Sequence, residues 1–272
     1  MVKKNSAEIG IIGGSGFYQF LKGKEFSINT PYGKPSDRIL VGEFWGRKFA
    51  FLPRHGKKHN LPPHQIPYRA NIYAFFKLGI KRIIAPCAVG SLKPEIKPGD
   101  FLLADDFIDF TRQRKNTFYD GKSGKISKRV FHISAVNAFC PELRNLAIKT
   151  SLKLNLPLRK KGKILVIEGP RFSTISESNF FRKLADVINM TALPEITLAK
   201  ELGMCYLNIS LVTDYDVGLK REKNVKPVTA KMVLKMFKKN SEKLKELILE
   251  ILKGLSSEKN CRCSDVLKEA EV

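Results

Sequence analysis

The sequence predicts an α/β fold: one domain with a central mixed, largely parallel twisted sheet flanked by helices. Three observations predict it. Short apolar runs of strand length alternate with longer amphipathic segments, several of those runs end in glycine-rich turns, and 272 residues bury one sizeable core without room for two large domains. Residues 1–254 are expected to form that domain, and residues 255–272 a loose polar C-terminal tail carrying Cys261-Arg262-Cys263.

Taken in order, residues 8–14 (Glu-Ile-Gly-Ile-Ile-Gly-Gly) read as a short buried strand entering a glycine turn. Residues 39–52 read as a hairpin that turns at Trp45-Gly46-Arg47. Pro67 suits the first position of a helix running past Tyr73 and Phe76 to a cap at Gly79, and Arg82-Ile-Ile-Ala-Pro86 continues as a strand. The alternation repeats with a strand at 101–104, a helix at 139–154, a strand at 163–167, helices at 176–186 and 194–203, and a strand at 204–212. Residues 112–128 are polar and read as a long loop. Between 228 and 252, Val233, Met236, Phe237, Leu244, Leu247, Ile248, Ile251 and Leu252 make one apolar stripe, so this segment is a long amphipathic helix that packs on its own sheet.

Composition excludes several functions. No stretch approaches the roughly 20 apolar residues of a membrane span. Lys3 and Lys4 precede an apolar run broken by glycines, with no small-residue cleavage site after it, so a cytoplasmic location is expected. Lys plus Arg number 49 against 26 acids, a formal charge of +23. Such a charge attracts phosphate-rich partners, yet the lysines are spread along the whole chain and no nucleic-acid-binding motif is present, so specific nucleic-acid binding is not expected. The charge and the presence of three glutamines suit a lysine-rich, heat-adapted source. The five cysteines, at 87, 140, 205, 261 and 263, include no C-x-x-C pair, which argues against a zinc site and against a disulfide scaffold. Cys261 and Cys263 sit in an exposed context and read as a redox-active pair, a staple or two idle thiols.

Chemistry-bearing residues gather after predicted strands. The turn Gly13-Gly14-Ser15-Gly16 offers backbone N–H groups and a hydroxyl to an anion, but lacks the third glycine of a dinucleotide fingerprint and the lysine of a P-loop; a plain tight turn is the competing reading. Pro53-Arg54-His55-Gly56-Lys57-Lys58-His59 follows a strand end, where α/β sheets bind ligands, and Arg54 gives a forked donor for phosphate; a solvated charged loop competes. Ala88-Val89-Gly90-Ser91 is a third turn past a buried strand, so three strand ends can converge on one anion. Residues 166–173 end a strand with Glu168, a Gly-Pro turn and Phe172, a ring able to stack on a flat heterocycle. Asp214 and Asp216, two apart, place both carboxylates on one side of an extended segment, where they can bind metal, act as acid and base, or grasp a ring amine.

Taken together, Ile11-Ile-Gly-Gly-Ser-Gly16, Pro53-Arg-His-Gly56, Tyr68-Arg-Ala-Asn-Ile-Tyr73, Ala88-Val-Gly-Ser-Leu92, Phe118-Tyr-Asp-Gly121, Glu168-Gly-Pro-Arg-Phe-Ser173, Asn189-Met-Thr191, Pro194-Glu195 and Thr213-Asp-Tyr-Asp216 resemble the trimeric class of purine nucleoside phosphorylases, over nearly the full chain. The resemblance implies that family's fold, with residues 1–254 as the catalytic domain. It implies a pentosyltransferase of purine salvage in a homotrimer or homohexamer, with orthophosphate as co-substrate and no metal or organic cofactor. The implied reaction is phosphorolysis of S-methyl-5′-thioadenosine to adenine and 5-methylthioribose 1-phosphate. The alternative is a phosphorylase for adenosine, inosine, guanosine or methylthioinosine.

Carried over residue by residue, Ser15, Arg54, His55, Cys87, Ala88 and Thr191 form the phosphate site. Met190 packs against the ribose and Phe172 against the purine. Asp214 lies near N7 as the acid and Asp216 near the 6-amino group. Ser173 bears on substrate specificity, and Ala230, Val233, Leu234 and His132, the last from a neighbouring subunit, line the pocket for the 5′ substituent. A carboxylate accepts from an exocyclic amine but meets a 6-oxo group as acceptor against acceptor, so the Asp pair favours 6-aminopurines. The chain departs from the family at Pro86-Cys87, where a hydroxyl-bearing residue is usual; a thiol is a weaker donor, and the backbone N–H groups remain.

Overall fold

The computed structural model describes residues 7–14, 21–121, 130–219, 228–268 and 270. Its described strands form one mixed sheet, and the five α-helices among the described residues cover the two faces. The strands are β1 (Ile9–Gly13), β2 (Lys24–Phe26), β3 (Ile39–Phe44), β4 (Arg47–Pro53), β5 (Arg82–Ser91), β6 (Phe101–Leu103), β7 (Asp106–Phe110), β8 (Leu158–Arg159), β9 (Lys163–Ile167), β10 (Val187–Asn189) and β11 (Cys205–Tyr215). The helices are α1 (Tyr68–Lys77), α2 (Pro141–Lys153), α3 (Ile175–Phe181), α4 (Glu195–Glu201) and α5 (Ala230–Gly254). No helix among the described residues is long and apolar enough to cross a membrane.

Strand periodicity sorts the side chains into two layers. Ile9 and Ile11 of β1, Phe49 and Phe51 of β4, Ile84 of β5, and Leu207, Ile209 and Leu211 of β11 pack with Leu143 and Ala147 of α2 and with Leu244, Leu247, Ile248, Ile251 and Leu252 of α5. The intervening residues, Ile12, Ala50, Leu52, Ile83, Cys87 and Tyr206 among them, pack with Ile72 and Phe75 of α1 and Ile196 of α4. Each fully buried Leu or Ile on α5 contributes about 1.5–3 kcal/mol, enough to hold a long lysine-rich helix on the sheet. Close approach of α1 depends on Gly10: a Cβ there would lie 2.4 Å from the Phe75 ring.

The order β2-β3-β4-β1-β5-β10-β9-β7 contains a fork that positions the site. β11 runs parallel to β5 along its whole length. The other edge of β5 is shared: β1 pairs with Arg82, Ile83 and Ile84, and β10 pairs antiparallel with Gly90 and Ser91. Between these two neighbours, residues 85–89 have no strand partner on that edge among the described residues. The carboxyl ends of β1 and β4 open onto this gap, and Arg54 N–H closes back on the Gly13 carbonyl at 2.8 Å.

Several expectations change in detail. β5 continues to Ser91, so Ala88-Val89-Gly90-Ser91 is strand rather than turn, and β11 continues through Asp214 to Tyr215. Helix α3 stops at Phe181 instead of 186; it starts in a capping box in which Thr174 and Glu177 satisfy each other's backbone N–H groups. Four short strands, β2, β7, β8 and β10, escape a periodicity reading because two to five residues carry little pattern. The tail is not loose. Leu255 is buried, Cys261 and Cys263 pack against the core beside α2 and α5, and the guanidinium of buried Arg82 donates to the Glu258 carbonyl at 2.7 Å. Polar composition hid an anchor made of backbone atoms and thiols.

Candidate active site

Arg54 leaves β4 pointing into the fork, where it is 2% exposed. Its guanidinium meets Glu195 through Nε to Oε2 at 2.9 Å and Nη2 to Oε1 at 2.8 Å. Nη2 also donates to the Ile12 carbonyl at 3.0 Å and Nη1 to the Pro86 carbonyl at 3.1 Å. Glu195, wholly buried at the start of α4, takes a further bond from the Tyr206 hydroxyl at 2.6 Å. Burial works against the Arg54 charge, and the Glu195 carboxylate more than offsets it. Burial and the Glu195 charge push the Tyr206 phenol well up, so it stays a neutral donor. Four of the five guanidinium N–H groups are thus taken, and the fifth, on Nη1, has no acceptor among the described residues. The arrangement presents a fixed positive charge with one donor to spare.

His55 follows directly. Its Nδ1 lies 2.8 Å from the Leu61 carbonyl, which can only accept, so Nδ1 carries the proton and Nε2 is an acceptor. Burial, with Arg54 and His59 nearby, lowers its pKa to about 4 against the bond to Leu61. His55 is a neutral imidazole stacked on His59. Cys87 is a buried thiol on β5; burial pushes its pKa up, and its sulfur accepts from Asn208 Nδ2 at 3.2 Å with Ser210 Oγ at 3.8 Å. It is therefore a weak partner rather than a thiolate. Asn189, at the end of β10, brackets the gap: Nδ2 donates to the Ala88 carbonyl at 2.9 Å, while Oδ1 accepts from the backbone N–H groups of Thr191 and Ala192, both at 2.7 Å. Asn189 fixes the Thr191 turn to β5.

The acid pair stands at the far end of β11. A register shift between Val212 and Asp214 skips Thr213 and sets Asp214 opposite Gly90. Asp214 is 7% exposed and Asp216 3%. Burial raises the Asp214 pKa to about 6, with the Asp216 charge adding and a 2.7 Å bond from Thr213 Oγ1 to Oδ2 opposing. Burial also raises Asp216, against the Ser178 hydroxyl and the Val217 N–H, and the Ser173 hydroxyl lies close by outside hydrogen-bonding geometry. Asp216 Oδ2 and Ser173 Oγ are both buried without a partner in hydrogen-bonding geometry among the described residues. Buried polar atoms rarely stay unpaired, so these two mark where a ligand's polar edge belongs. Gly90 leaves the space: a Cβ there would lie 3.0 Å from Asp214 Oδ1 and 3.1 Å from Ile188.

Met190 is half-buried over Gly169, where a Cβ would come within 2.8 Å of its sulfur. Phe172 presents its ring at the surface, 37% exposed, as a stacking platform requires. The start of α5 carries Ala230 and Leu234 exposed and Val233 half-buried; the helix first buries a residue at Asn240. These three and exposed His132 are not brought into the acid-pair cluster by any hydrogen bond of the structure, so their roles rest on the resemblance. His132 N–H instead donates to the Ala270 carbonyl at 2.8 Å. Ser15 lies outside the described residues. Sequence reasoning missed Glu195, Asn189 and Tyr206 as positioning residues. The first two stand inside the ordered motifs and were findable there, whereas nothing local marks Tyr206.

A family model described as the phosphorylase superfamily matches residues 8–253. A protein of Pyrococcus furiosus named S-methyl-5′-thioadenosine phosphorylase is 53% identical over 262 residues, covering 96% of this chain and 98% of its own. One of the same name from Saccharolobus solfataricus is 45% identical and covers both chains fully. Among solved structures, a methylthioadenosine phosphorylase from Schistosoma mansoni in complex with adenine superposes with a TM-score of 0.90 at 34% identity, over 98% of this chain and 99% of that one.

Proposed function

The chain belongs to the phosphorylase superfamily, and from that footing we propose that it cleaves S-methyl-5′-thioadenosine with orthophosphate, giving adenine and 5-methylthioribose 1-phosphate. The observation that carries the reading is the acid pair: a buried carboxyl at Asp214 that titrates at about 6 beside an unpartnered buried oxygen of Asp216. Adenine offers the complement, an acceptor at N7 and a donor at the 6-amino group.

In this reading orthophosphate sits in the β5 gap under the spare N–H of Arg54, with the turn at Thr191, the Ala88 backbone, His55, Ser15 and Cys87 around it. Met190 and Phe172 hold the sugar and the ring. As the bond to C1′ stretches, positive charge grows on the sugar and negative charge on the base. Phosphate stabilises the first. Asp214 relieves the second by giving a proton to N7; because Thr213 already donates to Oδ2, the proton sits on Oδ1, the oxygen over Gly90. Asp216 Oδ2 accepts from the amine, and a 6-oxo purine would face it acceptor to acceptor. The reaction so described asks for no metal or organic cofactor.

The same reading takes the working unit as a homo-oligomer, with His132 and the exposed start of α5 facing a second protomer. A strictly monomeric active enzyme in light scattering would contradict it. The function itself is tested by chromatography of reactions with S-methyl-5′-thioadenosine, with and without orthophosphate. Adenine and 5-methylthioribose 1-phosphate are expected in equal amounts only when phosphate is present, and release indifferent to phosphate defeats the proposal.

A further inference from the structure

Four of the five cysteines meet at one point, far from the acid pair. Cys205 is the first residue of β11 and Asp214 the tenth. Cys205 points to the α2/α5 face of the sheet, Cys140 caps the N-terminus of α2, and the tail returns Cys261 and Cys263 to the same place. Their four sulfur atoms lie within 4.8 Å of one another, with Cys205 and Cys261 at 3.3 Å. Sequence spacing could not show this, because the four come from three separated segments. None is in a disulfide.

We propose that these four thiols are a structural zinc site that fastens the C-terminal tail to the sheet. A tetrahedral zinc with four thiolates at about 2.3 Å needs sulfurs about 3.8 Å apart, which this cluster reaches with small side-chain rotations. Four sulfurs and no open position make a closed, structural site rather than a catalytic one. The surroundings favour negative charge. The thirteen-residue α2 begins directly after Cys140, at Pro141, so its positive end faces the cluster. The ammonium of Lys200 donates to the carbonyls of Val136 and Asn137, in the turn just before Cys140. Binding needs no electron transfer: zinc enters as the dication, the four thiols release their protons to solvent, and four sulfur–zinc bonds form.

The site's effect reaches the chain end. Beyond the cluster, the Ala270 carbonyl accepts from His132 N–H, so a fastened tail also steadies the segment carrying His132.

The test is elemental analysis of the full-length protein, purified without chelator, beside intact mass under denaturing, non-reducing conditions. One zinc per chain is expected, with all cysteines titratable as thiols once the metal is removed. Cys263→Ser and Cys140→Ser should hold less than a tenth of that zinc. Reduced, metal-free wild-type protein titrated with Co2+ should saturate at one equivalent with thiolate-to-cobalt charge-transfer absorption, and its melting temperature should fall on chelation and recover with zinc. The cobalt titration needs no variant to fold. Zinc-free protein whose mass is four hydrogens light, the mark of two disulfides, overturns the proposal, as does cobalt binding without charge-transfer bands.

Discussion

Replacing Thr213 by valine tests the acid role of Asp214 through its pH dependence. With a pKa of about 6 in place of 3.8, about a tenth of the Asp214 carboxyls carry a proton at pH 7 instead of about one in 1,600, roughly a 150-fold gain in competent enzyme worth about 3 kcal/mol. Since the protonated form is the active one, kcat/KM should fall tenfold per pH unit above about 6. Thr213 donates to Oδ2 at 2.7 Å and so favours the charged form. A bond to a charged group is worth about 1.5–3 kcal/mol, so Thr213→Val, close in shape, should raise the pKa by about 1–2 units and carry the alkaline limb to about 7–8. The assay is the initial rate of adenine release from pH 5 to 9 at saturating phosphate. Phosphate titrates identically with both enzymes, so only a protein group moves the limb between them. A limb that stays put, or moves to lower pH, would refute the assignment of Asp214 as the proton donor.

Three other perturbations give separate tests. Asp216→Asn puts an amide donor where the structure has an acceptor, so selectivity for 6-amino over 6-oxo nucleosides should drop by about 10–150-fold; equal loss on both classes would contradict the role. Glu195→Gln strips the charge from a pair whose partner Arg54 is fully buried; scanning calorimetry should show a loss of about 3–5 kcal/mol, roughly 6–20 °C in Tm, and an unchanged Tm would show that the pair does not hold the site together. His55→Gln addresses acid stability. The folded pKa of about 4 lies below the ordinary 6.5, so the fold is penalised as pH drops from 6.5 to 4 and the unfolded chain alone takes up the proton. Denaturant melts should show the wild type losing about 3 kcal/mol relative to the variant across that window, and parallel curves would mean that His55 is not held neutral.

The order of elements and the outline of the site were legible because they rest on local signals. Pro67 and Gly79 bounded a helix, Gly46 turned a hairpin with Trp45 also at positive φ, and apolar runs gave the long strands. Arg54, Asp214 and Asp216 were recoverable from position alone, since each stands at or near the carboxyl end of a strand. What the chain concealed is non-local. The fork in the sheet depends on a three-residue β10 finding the free edge of β5, and no pattern in Val187-Ile-Asn189 declares that pairing. The register shift that aims Asp214 at Gly90 depends on the neighbouring strand. Tyr206 becomes the support of Glu195 only once α4 lies on the sheet. The tail misled for a related reason: its composition is polar, and what fixes it are thiols whose partners lie more than 50 residues away in the sequence.

The central claim is that two carboxyl groups grip the amino edge of the purine, and a crystal structure of the enzyme with adenine and phosphate tests it most directly. The account predicts N6 within hydrogen-bonding distance of Asp216 Oδ2, N7 facing Asp214 Oδ1, and phosphate against the free N–H of Arg54. Adenine bound with its amino edge turned toward solvent, or phosphate lodged away from the β5 gap, would contradict it.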